Sequence, residues 1–172
     1  VAGICVTSAE ARLVVMHGYA DYTSALVWIQ TDAPGAVQVR WRTEHDGRDH
    51  ALTLDAKAVD DDVVVARLTG MAPGARATYA IDGDGERREG AVRAQPYWTA
   101  GDDAQDVTIA IGSCFFLAPA EPPWSASTYG GGYEIFDAIA AKAPDLMVWM
   151  GDNLYFQAPD ELDPASMAAR YR

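Results

Sequence analysis

Residues 145–161 read DLMVWMGDNLYFQAPDE. The apolar run Leu146–Met150 ends at Gly151, and Asp152 and Tyr155 follow directly. Two readings of this stretch compete. Asn-Leu-Tyr-Phe-Gln is the core of a protease-recognition site often engineered at protein termini. Here it lies inside the chain, without a His-rich tract, and with Asp152 where the engineered site has Glu. Patterned sequence continues on both sides, as a native segment requires. The second reading is a buried strand that ends in a glycine turn and delivers a carboxylate and a phenol.

A second run of the same kind lies upstream. VTIAIG at 107–112 is apolar almost throughout, as is LMVWMG at 146–151. Strands covered on both faces of a parallel sheet have this pattern. GYEIFDAIAAKAP between them predicts a helix, with Ile135, Phe136, Ile139 and Ala140 on one face, Lys142 in the last turn and Pro144 as the stop. Strand, helix and strand make a βαβ unit. Asp163 and Pro164 suit the N-cap and first position of a further helix over 164–171. Strands buried on both faces need neighbouring strands and a second helix layer. About 66 residues do not supply them, so the pattern predicts a truncated α/β unit or partner strands on another polypeptide.

The first half of the chain reads differently. RLVVMHG, TSALVWIQT, AVQVRWRT, HALTLD, DVVVARLTG, ARATYAID and REGAVRA predict seven short strands over 12–94. Many alternate apolar with polar residues, the mark of a half-buried strand. DAPGA, HDGRD, MAPGA and DGDGE supply turn residues between them. Seven such strands predict a β-sandwich. LTGMAPGARATY is similar to a tyrosine corner, with Tyr79 early in its strand, and Trp28 is the expected core anchor. The expected organisation is a β-sandwich over 1–94, a linker over 95–106, and the first βαβ unit of an α/β domain over 107–172.

Composition narrows the function classes. The 172 residues are 49% hydrophobic and 22% charged, which suits a globular chain. No run approaches the ~20 apolar residues of a membrane span. The opening VAGICVTSAEAR lacks the basic region of a signal peptide. Twenty-five acidic against 13 basic residues give a net charge of −12, which argues against a nucleic-acid-binding surface. Anionic substrates are repelled too, unless bound cations reverse the local sign. Cys5 and Cys114 are too few for a disulfide framework, and a free or metal-bound thiol is expected at Cys114.

The chemistry concentrates at two points. AIGSCFF puts Cys114 just past the first predicted parallel strand, and GDNLY puts Asp152 just past the second. Ligands of open α/β sheets gather at that carboxyl edge. Gly112 and Gly151 stand where the backbone must turn sharply or approach a ligand. Tyr155 lies three residues beyond Asp152, within reach of the same spot. Thiolate, carboxylate and phenolate together suit a hard trivalent ion, iron(III), better than zinc. The plainer readings are a Cys acting as a small hydrophobe and a Tyr packed in a core. A nucleophilic Cys would want a His, yet His17, His45 and His50 all lie in the sandwich part, as surface or satisfied residues. The acidic run at 60–62 is expected to be a solvated turn.

HGYADYTSALVWIQTD, then the sandwich, then IAIGSC, then PDLMVWMGDNLY, in that order, resembles the alkaline phosphatase D (PhoD-like) family over nearly the whole chain. The resemblance implies a fibronectin-III-like domain followed by a metallophosphoesterase α/β domain. It implies metal-dependent hydrolysis of phosphate mono- or diesters, in the periplasm or outside the cell. By carry-over, Cys114 and Tyr155 bind Fe(III), and Asp152 bridges Fe(III) to Ca(II). Asn153 fits a subgroup that writes GDN here. The family's DDHD-type segment and its later Asp and His ligands are not among these residues, so the remainder of a catalytic domain is needed. A different calcineurin-like phosphoesterase is disfavoured, because those enzymes usually open with Asp-x-His. The contrasting expectation is a non-catalytic, fibronectin-III-like binding or adhesion module with a degenerate α/β tail.

Overall fold

The structure is a computed structural model that describes residues 13–99, 106–116, 133–156 and 163–171. The chain divides into two compact units, Val1–Asp102 and Asp103–Arg172.

The first unit is a sandwich of two antiparallel sheets. Its strands are β1 (Val14–Ala20), β2 (Ala25–Gln30), β3 (Gly35–Thr43), β4 (Asp49–Ala56), β5 (Val63–Leu68), β6 (Arg76–Gly83) and β7 (Glu86–Arg93). One sheet has the order β1-β2-β5, the other β4-β3-β6-β7. All seven predicted strands are present, with ends shifted by one or two residues. Period two explains the packing. On β3, Val37, Val39, Trp41 and Thr43 are buried while Gln38, Arg40 and Arg42 face outward. Val27, Ile29, Leu68 and Ile81 complete the centre, each fully buried. Burial of each such side chain contributes roughly 1.5–3 kcal/mol.

The same periodicity overturns one expectation. Val27 and Ile29 point inward, so Trp28 between them points out. It stands opposite Met16 on β1 and Val65 on β5, both about half exposed. The tryptophan of the core is Trp41, whose Nε1 donates to the Thr69 carbonyl at 2.9 Å. An apolar flank on both sides cannot tell an inward from an outward residue; the neighbours' register does.

Tyr79 is buried, but its hydroxyl lies 2.8 Å from His17 Nε2, a side chain on the other sheet. A tyrosine corner would place it on nearby backbone. Burial pushes the Tyr79 phenol up and the His17 imidazole down from their usual ranges. The Tyr79 ring lies over its register partner Gly90, where a Cβ would overlap the phenol. The β6–β7 hairpin turns on Asp84-Gly85 alone, both at positive φ (51° and 72°), as a type I′ turn requires. In the acidic run, Asp60 and Asp61 are exposed, but Asp62 is buried and its carbonyl accepts from the Thr31 amide at 3.1 Å. The expected linker begins attached to the sandwich: the Gln95 amide donates to Asp21 O, and Tyr97 packs on Tyr22.

A polar cluster closes the β3–β4 end. His50 stacks on Trp41, with ring centres 5.1 Å apart, and its Nε2 lies 2.9 Å from Asp46 Oδ2. Bonds from the Arg48 amide and the Thr43 hydroxyl, then His50, hold the Asp46 carboxyl down at about 2. His45 is exposed, so the three histidines are surface or satisfied residues, as expected.

The second unit pairs β8 (Ile109–Gly112) with β9 (Leu146–Trp149) in parallel, joined through α1 (Glu134–Ala141). Asp145 fastens the start of β9, its amide donating to Thr108 O and its Oδ2 accepting from the Thr108 amide, both at 2.9 Å. Helix α2 (Pro164–Tyr171) starts as its sequence predicts. Asp163 Oδ1 accepts from the amides of Ala165 (2.8 Å) and Ser166 (3.0 Å). Burial of these strands does not follow. None of the described residues here is buried, and Ile109, Ile111, Leu146, Trp149 and Met150 are all well exposed, as is Ile135 on α1. Two strands and two eight-residue helices cannot cover both faces of a sheet.

Two outcomes test this packing. Gly90→Ala is expected to lower stability by roughly 1–3 kcal/mol through overpacking against Tyr79, read from the denaturant midpoint. Asp46 has a folded pKa below its unfolded value, so its contribution is complete above pH ~4 and fades as pH falls toward ~2. Asp46→Asn should flatten stability over that interval, measured by urea unfolding at stepped pH.

Candidate functional site

The exits of β8 and β9 are joined by backbone bonds. Met150 N–H donates to Gly112 O at 2.8 Å, which extends the parallel ladder by a step. Phe115 N–H then donates to Asp152 O at 3.0 Å. Between these bonds the chain bends sharply: Cys114 has φ 59°, Gly151 φ 97° and Asp152 φ 47°. Non-glycine residues in this region cost of order 1–3 kcal/mol each and persist only where surrounding contacts enforce them. Gly151 has the turning role its sequence predicts. Gly112 does not have positive φ; a Cβ there would lie 2.9 Å from the Met147 methyl.

These bends bring the three predicted residues together. Cys114 Sγ lies 3.7 Å from Asp152 Oδ2, and the Tyr155 hydroxyl donates to that same oxygen at 2.7 Å. The Ser113 hydroxyl lies 3.6 Å from Cys114 Sγ. Cys114 carries a free, exposed thiol, Asp152 is exposed, and Tyr155 is 38% exposed. Hydrogen bonding with Cys114, then with Asp152, pushes the Tyr155 phenol well above its usual range. Cys5 and the whole of loop 117–132 lie outside the described residues.

Sulfur, carboxylate and phenol converging on one solvent-facing point fit a cation that prefers anionic donors. Among the described residues no group of three or more His, Cys, Asp or Glu forms a metal cluster; the third donor here is a tyrosine. An aromatic network supports the site. Phe115 packs on Tyr133 (5.6 Å) and Phe136 (5.3 Å), and Phe136 on Trp149 (6.2 Å). Phe116 lies 6.4 Å from Tyr155. The sequence places Phe136 on the apolar face of its helix but gives Phe115, Phe116 and Tyr133 no role, although Phe-Phe directly after Cys114 is a visible signal.

In the sandwich, a groove of about 390 Å³ opens on the outer face of the four-stranded sheet, lined by Arg40, Arg42, Thr78 and Glu89 among others. Its arginines are engaged, Arg40 with Asp82 at 2.7 Å and Arg42 with Asp49 at 3.0 Å.

Residues 11–96, half of the chain, match the family described as Domain of unknown function (DUF7800). The chain belongs to that family. The DUF7800 match falls on the sandwich strands. Among solved structures, the chain is similar to PhoD, with a TM-score of 0.61 and 19% identity over 82% of this chain and 27% of that one. At that identity the likeness concerns the fold, and the chain spans about a quarter of PhoD's length. Looser likenesses are the sensor domain of the anti-sigma factor RsgI4 of Pseudobacteroides cellulosolvens (TM-score 0.41, 7% identity, 53% of this chain and 100% of that one) and a redesigned β-sandwich protein (0.36, 12%, 48% and 92%). No curated protein sequence matches the chain.

The shared oxygen gives a direct test. In metal-free protein, Tyr155 should ionise at higher pH than an ordinary tyrosine. Asp152→Asn should bring its absorbance titration back toward the normal range, because the acceptor charge is gone.

Proposed function

We propose that this DUF7800 chain is part of a metal-dependent phosphate-ester hydrolase of the PhoD type. The observation that carries the reading is the convergence of Cys114, Asp152 and Tyr155 at the carboxyl ends of β8 and β9. The fold likeness to PhoD supports it.

In this reading Cys114 and Tyr155 would hold Fe(III), and Asp152 would lend its carboxylate to the Fe(III) and Ca(II) site. The donor set fits that task in part, with three anionic groups for a centre that needs further ligands from the rest of a catalytic domain. When bound, such cations polarise phosphoryl oxygens and lower the pKa of water for in-line attack on phosphorus. The chain's own residues prepare the place. Cys114 and Tyr155 give up their protons on binding, as metal-ligating thiols and phenols must. Asp152, here the acceptor for Tyr155, would have that carboxylate oxygen freed for a cation once the phenol is deprotonated. The cations also reconcile an acidic protein with an anionic mono- or diester substrate. A periplasmic or extracellular location belongs to the same proposal, and no described helix is long and apolar enough to cross a membrane.

Cys114→Ala in the full-length protein should lower phosphate-ester hydrolysis at least about 100-fold, since even residues that only support a ligand are worth 10–100-fold. Undiminished hydrolysis would overturn the proposal. A full-length protein with no iron and no visible phenolate absorption would favour the non-catalytic binding module.

A further inference from the structure

We propose that Phe115 is the positioning residue that holds Cys114 and Asp152 in register; the proposal rests on the metal-site reading above. Phe115 is fastened twice. Its side chain is wedged between Tyr133, just before α1, and Phe136, in the first turn of α1. Its amide donates to the Asp152 carbonyl. Phe136 in turn packs on Trp149, the last residue of β9. Phe115, Phe136, Trp149 and the Asp152 backbone therefore form a closed loop of contacts around the two strand exits.

The loop answers a question the site raises. Cys114 and Asp152 both adopt positive φ, a conformation that Asp tolerates but that a cysteine rarely takes without enforcement. Cys114 lies exposed, and the contacts of its own side chain with described residues are polar ones, to Ser113 and Asp152. Phe115, half-buried and next in the chain, supplies that constraint from the apolar side. Tilted and edge-to-face aromatic pairs of this kind stabilise beyond the area they bury. Two such contacts and one backbone bond are comparable with the strain of the two bends. Without the ring, the segment is free to relax, and Sγ loses its place beside Asp152 Oδ2. Phe115 touches neither substrate nor cation; it acts through the geometry of its neighbours.

The test compares Phe115→Ala and Phe115→Tyr with the unaltered protein. In metal-free protein, Phe115→Ala should speed hydrogen exchange at the residue-115 amide at least about 10-fold, with amides inside β8 and β9 nearly unchanged. Phe115→Tyr, which keeps the ring, should restore slow exchange. In a second arm, Fe(III) is titrated and the phenolate-to-iron absorption followed. Phe115→Ala should weaken binding about 10–100-fold, the range for residues that orient metal ligands, and Phe115→Tyr should recover it. Unchanged exchange in Phe115→Ala, equal loosening of the whole ladder, or failure of Phe115→Tyr to rescue would overturn the proposal. The iron arm uses the full-length protein; if unaltered full-length protein develops no iron absorption, the metal reading falls, and the exchange arm still decides the role of Phe115.

Discussion

The parallel pairing of β8 with β9 places two strand exits side by side, and the chemistry of the second unit follows from that placement. A parallel ladder ends where the carbonyls of one strand no longer meet the amides of the next. Here it is extended by the bond from Met150 to Gly112 and then closed by a crossing from Phe115 to Asp152. Each bond contributes only about 0.5–1.5 kcal/mol, but together they leave Cys114 and Asp152 little room to differ in position. Tyr155 then reaches back three residues to the same carboxylate oxygen. The site is compact because its donors come from two adjacent exits of one small sheet.

The sandwich is organised by another constraint, the alternation of inward and outward residues along β2, β3 and β6. Its core is made of valine, isoleucine and leucine side chains that are almost wholly buried. Polar pairs occupy the margins: His17 with Tyr79 between the sheets, and Asp46 with His50 against Trp41. His17 partners the Tyr79 hydroxyl and the Thr69 carbonyl accepts from Trp41, so both large aromatic residues sit in the core without orphaned hydrogen-bonding groups. The exposed apolar side chains of β8 and β9 contrast with this completeness. A sheet of two strands exposes what a larger sheet would cover.

Much of this was legible beforehand. Turn residues such as Asp84-Gly85 and the Asp163-Pro164 cap mark element ends through local bonding that needs no distant partner. Alternation marked the strands of the sandwich, and unbroken apolar runs marked β8 and β9. Cys114 and Asp152 were legible because each stands just after a strand end, where side chains of neighbouring strands meet, and Tyr155 because it follows Asp152 by three residues. Trp28 was misread because apolar neighbours on both sides hide the phase of the alternation. The Tyr79 hydroxyl was misread because its partner, His17, is 62 residues away on the opposite sheet.

Local pattern alone determined the strands and helices, their approximate ends, the acidic character of the chain and the candidate donors. Those features depend on residues within a few positions of one another, and their physics is correspondingly local. Tertiary structure decided which tryptophan fills the core, which histidine meets Tyr79, and that sulfur, carboxylate and phenol share one point. It also set the bend at Cys114, which no single-residue preference would choose, beside the one at Asp152. Such bends exist only when contacts from other elements, here the Phe115 ring and the Asp152 carbonyl, outweigh the chain's own preference.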